Sequence, residues 1–175
     1  MDTLAFILSA AALLCITGST LVRGERMKTI LLLLLAGNLL YAISYLVGGK
    51  GINGAYSCLL GATLVFIKYF FDRRGRTLPM WLAGLYAVAF IALNIYLTGI
   101  SLPAVLMIFA ALTFLVSVLQ KNGAAFRLWT LANTVSWCVY DTITGAYGAL
   151  ATHIFMLLST LTGILLHDLK KHGQN

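Results

Sequence analysis

Asn38-Leu39-Leu40-Tyr41-Ala42-Ile43-Ser44-Tyr45 and Asn133-Thr134-Val135-Ser136-Trp137-Cys138-Val139-Tyr140 are the two stretches whose comparison decides the fold. Each opens a progression through a glycine turn into a second apolar helix with a charged end. The first ends at Asp72-Arg73-Arg74-Gly75 and the second at His167-Asp168-Leu169-Lys170-Lys171. Asn38 and Tyr45 align with Asn133 and Tyr140, and Gly54-Ala55 aligns with Gly148-Ala149 after a one-residue slip. Upstream, residues 4–23 fall opposite residues 102–121. The chain is therefore read as an internal repeat, which in a membrane protein is the mark of a transporter whose halves move about a shared axis.

Composition places the chain in the bilayer. It is 61% hydrophobic and 10% charged, with a mean hydropathy of +0.94. A soluble domain of that make-up would expose more apolar surface than water tolerates. Stretches long enough to cross the hydrocarbon core, about 18–20 apolar residues, lie at 3–22, 29–47, 54–71, 79–98, 102–119, 126–144 and 148–167. Seven helices joined by short loops pack antiparallel to their chain neighbours. A repeat of three within a total of seven implies a 3+1+3 plan. Residues 1–77 form one triple-helix repeat, 78–99 a linker helix, and 100–175 the second repeat with a short basic tail. Because each triplet is odd, the linker restores the orientation and the two repeats are parallel. Pro79 falls in the first turn of the linker, where its missing N–H is no loss.

The net charge of +7 is a topology signal. Arg23, Arg26, Lys28, Lys68, Arg73, Arg74, Arg76, Lys121, Arg127, Lys170 and Lys171 fall at one end of their helices, and Lys50 alone at the other. The positive-inside rule makes the crowded end cytoplasmic, so the N-terminus is outside and the C-terminus inside. Basic residues scattered over short loops suit anionic lipid headgroups and do not suit nucleic acid. Asp2 at the extreme end is unlike the basic start of a cleaved signal peptide. Cys15, Cys58 and Cys138 all sit within spans without CxxC spacing, so they read as packing residues.

Leu102-Pro103, Trp137 followed by Tyr140-Asp141, and Gly145-x-x-Gly148 resemble the YgjV-type bacterial inner-membrane proteins over nearly the whole chain. The three-one-three plan is also similar to the SWEET, SemiSWEET and PnuC transporters, the MtN3/PQ-loop architecture. These resemblances imply a multi-pass protein of the bacterial inner membrane, with transport as the analogy. Departures exist. The triplets hold only Pro103, with no glutamine after it, and the paired tryptophans of PnuC are absent, since Trp129 and Trp137 are eight residues apart.

Polar residues inside the spans carry the chemistry. Asn133, Trp137, Tyr140 and Asp141 recur at helical spacing and share one face, as do Asn38, Tyr41 and Tyr45. An amide beside aromatic rings suits a hydroxyl-rich or planar substrate. The alternative is that each asparagine joins two helices by a hydrogen bond. Asp141 is the acidic residue deepest from the basic end apart from Asp2, and His153 is the only histidine of the outer half. Asp141 and His153 are expected to approach each other across the Gly145 turn as a proton-coupling or gating pair, with residence at the hydrated interface as the alternative. Tyr96 and Tyr147 read as belt aromatics.

Enzyme chemistry finds no support. The last span lacks an interior lysine for a Schiff base, no HExxH or His/Glu cluster offers a metal site, and Gly18-Ser19 and Ser159 have no facing histidine. No catalytic residue, metal or cofactor is expected. The sequence reads as a facilitator or proton-coupled carrier of a small polar metabolite, such as a sugar-, nucleoside- or vitamin-like compound. The alternative is a non-transporting protein that senses or binds a lipid or partner membrane protein. A small-molecule substrate and the lipid bilayer are the expected partners, with room for a homo-oligomer.

Overall fold

A computed structural model describes residues 3–48, 52–145 and 147–169. It contains seven helices: α1 Thr3–Leu21, α2 Met27–Val47, α3 Ile52–Arg73, α4 Met80–Thr98, α5 Leu102–Leu119, α6 Gly123–Thr144 and α7 Tyr147–Ile164. A π-helical turn, Leu165–Leu169, continues α7. Six of the seven helices are long and apolar enough to span a membrane. The exception is α6, whose 22 residues suffice in length but include Arg127, Asn133, Asp141 and several hydroxyls. The hydroxyls return to their own helix: Thr134, Ser136 and Thr142 donate to the carbonyls four residues back at 2.7–2.8 Å. Such back-bonding makes a polar sequence tolerable where no water is present.

Local signals set the helix ends. Ser101 caps α5 by accepting from the Ala104 amide, with Pro103 in the first turn. Asn122 caps α6 by accepting from the Ala125 amide at 2.8 Å. Gly145 closes α6 in the left-handed conformation, φ 70°, which only glycine adopts cheaply. Pro79 stands one residue earlier than its sequence position suggested. It is the extended N-cap of α4, φ −62° and ψ 139°, because α4 begins only at Met80.

The principal packing runs α1–α2–α3–α5–α6–α7 and back to α1, a ring of six, with α4 against α3 and α5. Only a narrow stripe of α4 is buried, Ala83, Tyr86, Phe90 and Asn94. Met80, Trp81, Val88 and Tyr96 stand out from it, as lipid-facing residues do.

The apolar core is not centred along the helix axes. Ile30, Leu31 and Leu34 of α2, Leu64 and Val65 of α3, Leu115 and Val118 of α5 and Phe126 of α6 pack with Leu78, Ala83, Tyr86 and Phe90. All of these lie toward the end that carries the basic residues or near the midpoint. The described basic residues lie in or beside the α1–α2, α3–α4 and α5–α6 turns. Lys50, Lys170, Lys171 and the side chain of Tyr147 lie outside the described residues.

Candidate functional site

The far half of the bundle, opposite the basic end, gathers polar and aromatic groups from α2, α6 and α7. Asp141 stands in the last turn of α6, and His153 is the seventh residue of α7. The tight Gly145 turn folds α7 back so that His153 Nδ1 lies 2.6 Å from a carboxylate oxygen of Asp141. The Asp141 side chain is 3% exposed and that of His153 19%. A buried carboxylate needs a partner, because isolated burial of a charge is strongly unfavourable. The imidazole also lies flat on Trp137, with ring centroids 5.5 Å apart and planes within 9°. Trp137 in turn meets Tyr140 edge-on at 5.5 Å. The helical spacing of 137, 140 and 141 thus delivers indole, phenol and carboxylate to the α7 face together.

From across the ring, α2 contributes Tyr41 and Tyr45, stacked at 6.3 Å. Tyr45 lies within electrostatic reach of Asp141 and of Cys58 on α3. Tyr45 is exposed, whereas Tyr41, Trp137 and Tyr140 are half-buried. Asp141 is thus the most enclosed member of the cluster, and Tyr45 the most exposed. Among the described residues no group of three His, Cys, Asp or Glu side chains could hold a metal ion.

The two asparagines lie deeper, toward the core. Asn133 donates to the carbonyl of Ala110 on α5 at 2.6 Å, tying α6 to its neighbour. Asn38 donates to Leu34 of its own helix at 2.8 Å, and its side-chain oxygen points at Gly61 of α3, where an added Cβ would come within 3.1 Å. The two asparagines therefore differ in use, Asn133 joining helices and Asn38 folding back on its own. Trp137, Tyr140, Asp141 and His153 come together, the stacked Tyr41 and Tyr45 stand within electrostatic reach through Tyr45, and Asn38 and Asn133 lie deeper.

The basic end holds an assembly that the sequence reading passed over. Arg127 is fully buried, which its reading as a topology charge does not explain. Its guanidinium forms a two-pronged ion pair with Asp168, with Nε 2.8 Å from one carboxylate oxygen. It also donates to the Val22 carbonyl at 2.9 Å. His167 Nε2 donates to the Leu21 carbonyl at 2.8 Å. Arg127 and His167 thereby satisfy the last carbonyls of α1, which no residue of α1 can reach. Close backbone approach makes this possible: a Cβ on Gly163 would fall 2.2 Å from the Thr20 carbonyl, and one on Gly123 2.3 Å from Gly24. Thr20 and Ser159 join the same seam at 3.0 Å. A signal was present in the sequence. Arg127 sits near the N-terminus of its helix and Asp168 near a C-terminus, each opposite to what the helix dipole favours, so each needs a specific partner. Lys68, also buried, pairs with Asp72 one turn along α3.

A membrane bundle with a buried acid–imidazole pair in one half and a sealed apolar core in the other defines a multi-pass inner-membrane protein. The chain belongs to the Imp-YgjV family of bacterial inner membrane proteins, whose model matches residues 3–171. No curated protein and no solved structure matches it.

Proposed function

We propose that this protein carries a small polar metabolite across the bacterial inner membrane, with its basic end in the cytoplasm, and that it does no covalent chemistry. The single observation that carries the reading is the Asp141–His153 pair, buried against Trp137 and faced by Tyr45 from the opposite side of the ring. An ionisable pair inside spans is expensive to maintain, and such pairs mark substrate or proton pathways. The position of the core supports the reading further. Packed apolar residues fill the basic half, while the aromatic cluster in the other half is only partly buried. That is the form expected of a carrier open to the outside and closed to the cytoplasm.

The order of neighbours in the ring agrees with a 3+1+3 plan. A two-fold axis relating α1–α3 to α5–α7 turns the α1–α7 seam into the α5–α3 seam, and both seams are present. Rocking of the two triplets would then open the α1–α7 seam at the basic end, where Arg127, Asp168 and His167 form the closure.

A second reading, a non-transporting protein that binds lipid, draws on a different place. An open apolar cleft of about 390 Å³ runs between α3 and α4, lined by Tyr56, Leu59, Leu60, Thr63, Ala89 and Leu93. It adjoins another of about 310 Å³ nearer the basic end. The two readings separate on thermal stabilisation of purified protein by a library of polar metabolites. A ligand at a hundredfold its dissociation constant adds about 2.7 kcal/mol to stability. Carriage predicts a stabilising polar compound whose effect is lost in Trp137→Ala. Lipid binding predicts stabilisation by phospholipid alone, insensitive to Trp137.

A further inference from the structure

Resting on that reading, we infer that the substrate is a small organic cation, an ammonium or planar nitrogen cation, that competes with a proton for the Asp141–His153 site.

The His153 imidazole is a planar nitrogen ring, hydrogen-bonded to a carboxylate at 2.6 Å and lying on an indole face at 5.5 Å, and in its protonated form it would be a planar organic cation. The protein thus displays a working geometry for such a group: one anion, one π face, and neighbouring phenols at Tyr140 and Tyr45. Aromatic faces attract cations by their quadrupole, more strongly once water is excluded. The described arginines and lysines stand at the basic end of the bundle, away from this carboxylate, while Lys50 lies outside the described residues. A neutral sugar would hydrogen-bond to Asp141 but would leave the carboxylate charge uncompensated whenever it displaced the imidazolium.

Charge balance then dictates the exchange. When a monovalent cation takes the carboxylate, retention of the imidazolium would leave two positive charges facing one negative charge in a low-dielectric setting. His153 therefore releases its proton to the external side as the cation enters, and regains one when the cation leaves. Among the described residues, the other titratable groups near the pair include Tyr45 of α2 and Cys138 of α6, with Tyr41 of α2, Tyr140 of α6 and Cys58 of α3 further round the cluster. Phenols and thiols ordinarily titrate above imidazole, so the exchange is assigned to His153.

The test uses purified wild-type protein, with benzyltrimethylammonium and tetramethylammonium as cationic probes and glucose and uridine as neutral ones. Binding is followed by calorimetry and thermal unfolding from pH 5 to 8. The inference expects a cationic probe to bind, with affinity rising about tenfold per pH unit on the acid side of the imidazole titration and close to one proton released per cation in weak buffer. His153→Gln should bind the cation with no pH dependence and no proton release. Asp141→Asn should abolish binding, and Asp141→Glu, which keeps the charge, should retain it should the asparagine variant fail to fold. If glucose or uridine binds in a Trp137-dependent way while neither cation binds, the cation inference falls and the carrier reading stands. If no probe of either kind binds, the inference falls, and the metabolite library decides the carrier reading separately. Cation binding that persists unchanged in Asp141→Asn, or without proton release in the wild type, also overturns the inference.

Discussion

Asp168→Asn removes the charge that balances Arg127 at the basic end while keeping side-chain size. Arg127 has no exposed surface, so its guanidinium cannot recover hydration. Breaking a buried ion pair by removing one partner typically costs about 3–5 kcal/mol, because the surviving charge is left uncompensated. The Asp168 side chain is 18% exposed and Arg127 keeps its bond to the Val22 carbonyl, which places the expectation near 3 kcal/mol. The double variant Arg127→Met/Asp168→Leu should be milder. It leaves no buried charge and forfeits mainly the hydrogen bonds to α1 carbonyls, at about 0.5–1.5 kcal/mol each, more for bonds to a charged donor. The assay is equilibrium unfolding in mixed detergent–SDS micelles, followed by circular dichroism. A single variant within about 1 kcal/mol of wild type, or a double variant no more stable than the single one, would refute the claim that this pair closes the α1–α6–α7 seam.

Other expectations follow from the same geometry. Gly163→Ala should destabilise the seam, since its Cβ would fall 2.2 Å from the backbone oxygen of Thr20, and a lowered unfolding midpoint checks it. Asn133→Leu should lose about 0.6–2 kcal/mol of stability through its bond to α5, and Asn38→Leu less, since its amide serves only its own helix. Equal losses would contradict this contrast. In a cysteine-free background Ile100→Cys should react with an impermeant thiol reagent in intact cells and Lys121→Cys should not; the reverse pattern would invert the topology. Ile100 suits this use because it is 92% exposed, whereas Gly99 and Gly145 have positive φ and Gly123 abuts Gly24.

Six of the seven helices were legible because they are long and apolar enough to cross a membrane; α6, with its buried polar groups, is the exception. Bounds read from the sequence for α5 coincide with those observed, since Ser101-Leu102-Pro103 is an unambiguous start. The convergence of Asp141 and His153 was legible too: a helical face and a glycine turn leave little choice for two polar groups in apolar spans. What escaped was the use to which each partner is put. Arg127 looked like one more topology charge, and only its contacts with the end of α1 and the residue after it, distant in sequence, revealed a closure. Asn38 and Asn133 align in the sequence, yet the carbonyl each meets depends on helix rotation, which the alignment does not carry. The same holds for the apolar cleft beside α4, because pattern alone cannot tell a loosely packed face from a tightly packed one.

The most direct test of the central claim is solute uptake into proteoliposomes that contain the purified protein, incubated with a defined mixture of small polar metabolites that includes organic ammonium compounds. Internal solutes are identified by mass spectrometry after rapid washing, alongside protein-free vesicles and vesicles carrying Trp137→Ala or Asp141→Asn. The account predicts that at least one compound enters wild-type vesicles well above the protein-free level and that both substitutions suppress its entry. Entry of no compound above the protein-free level, or entry unaffected by either substitution, would contradict it.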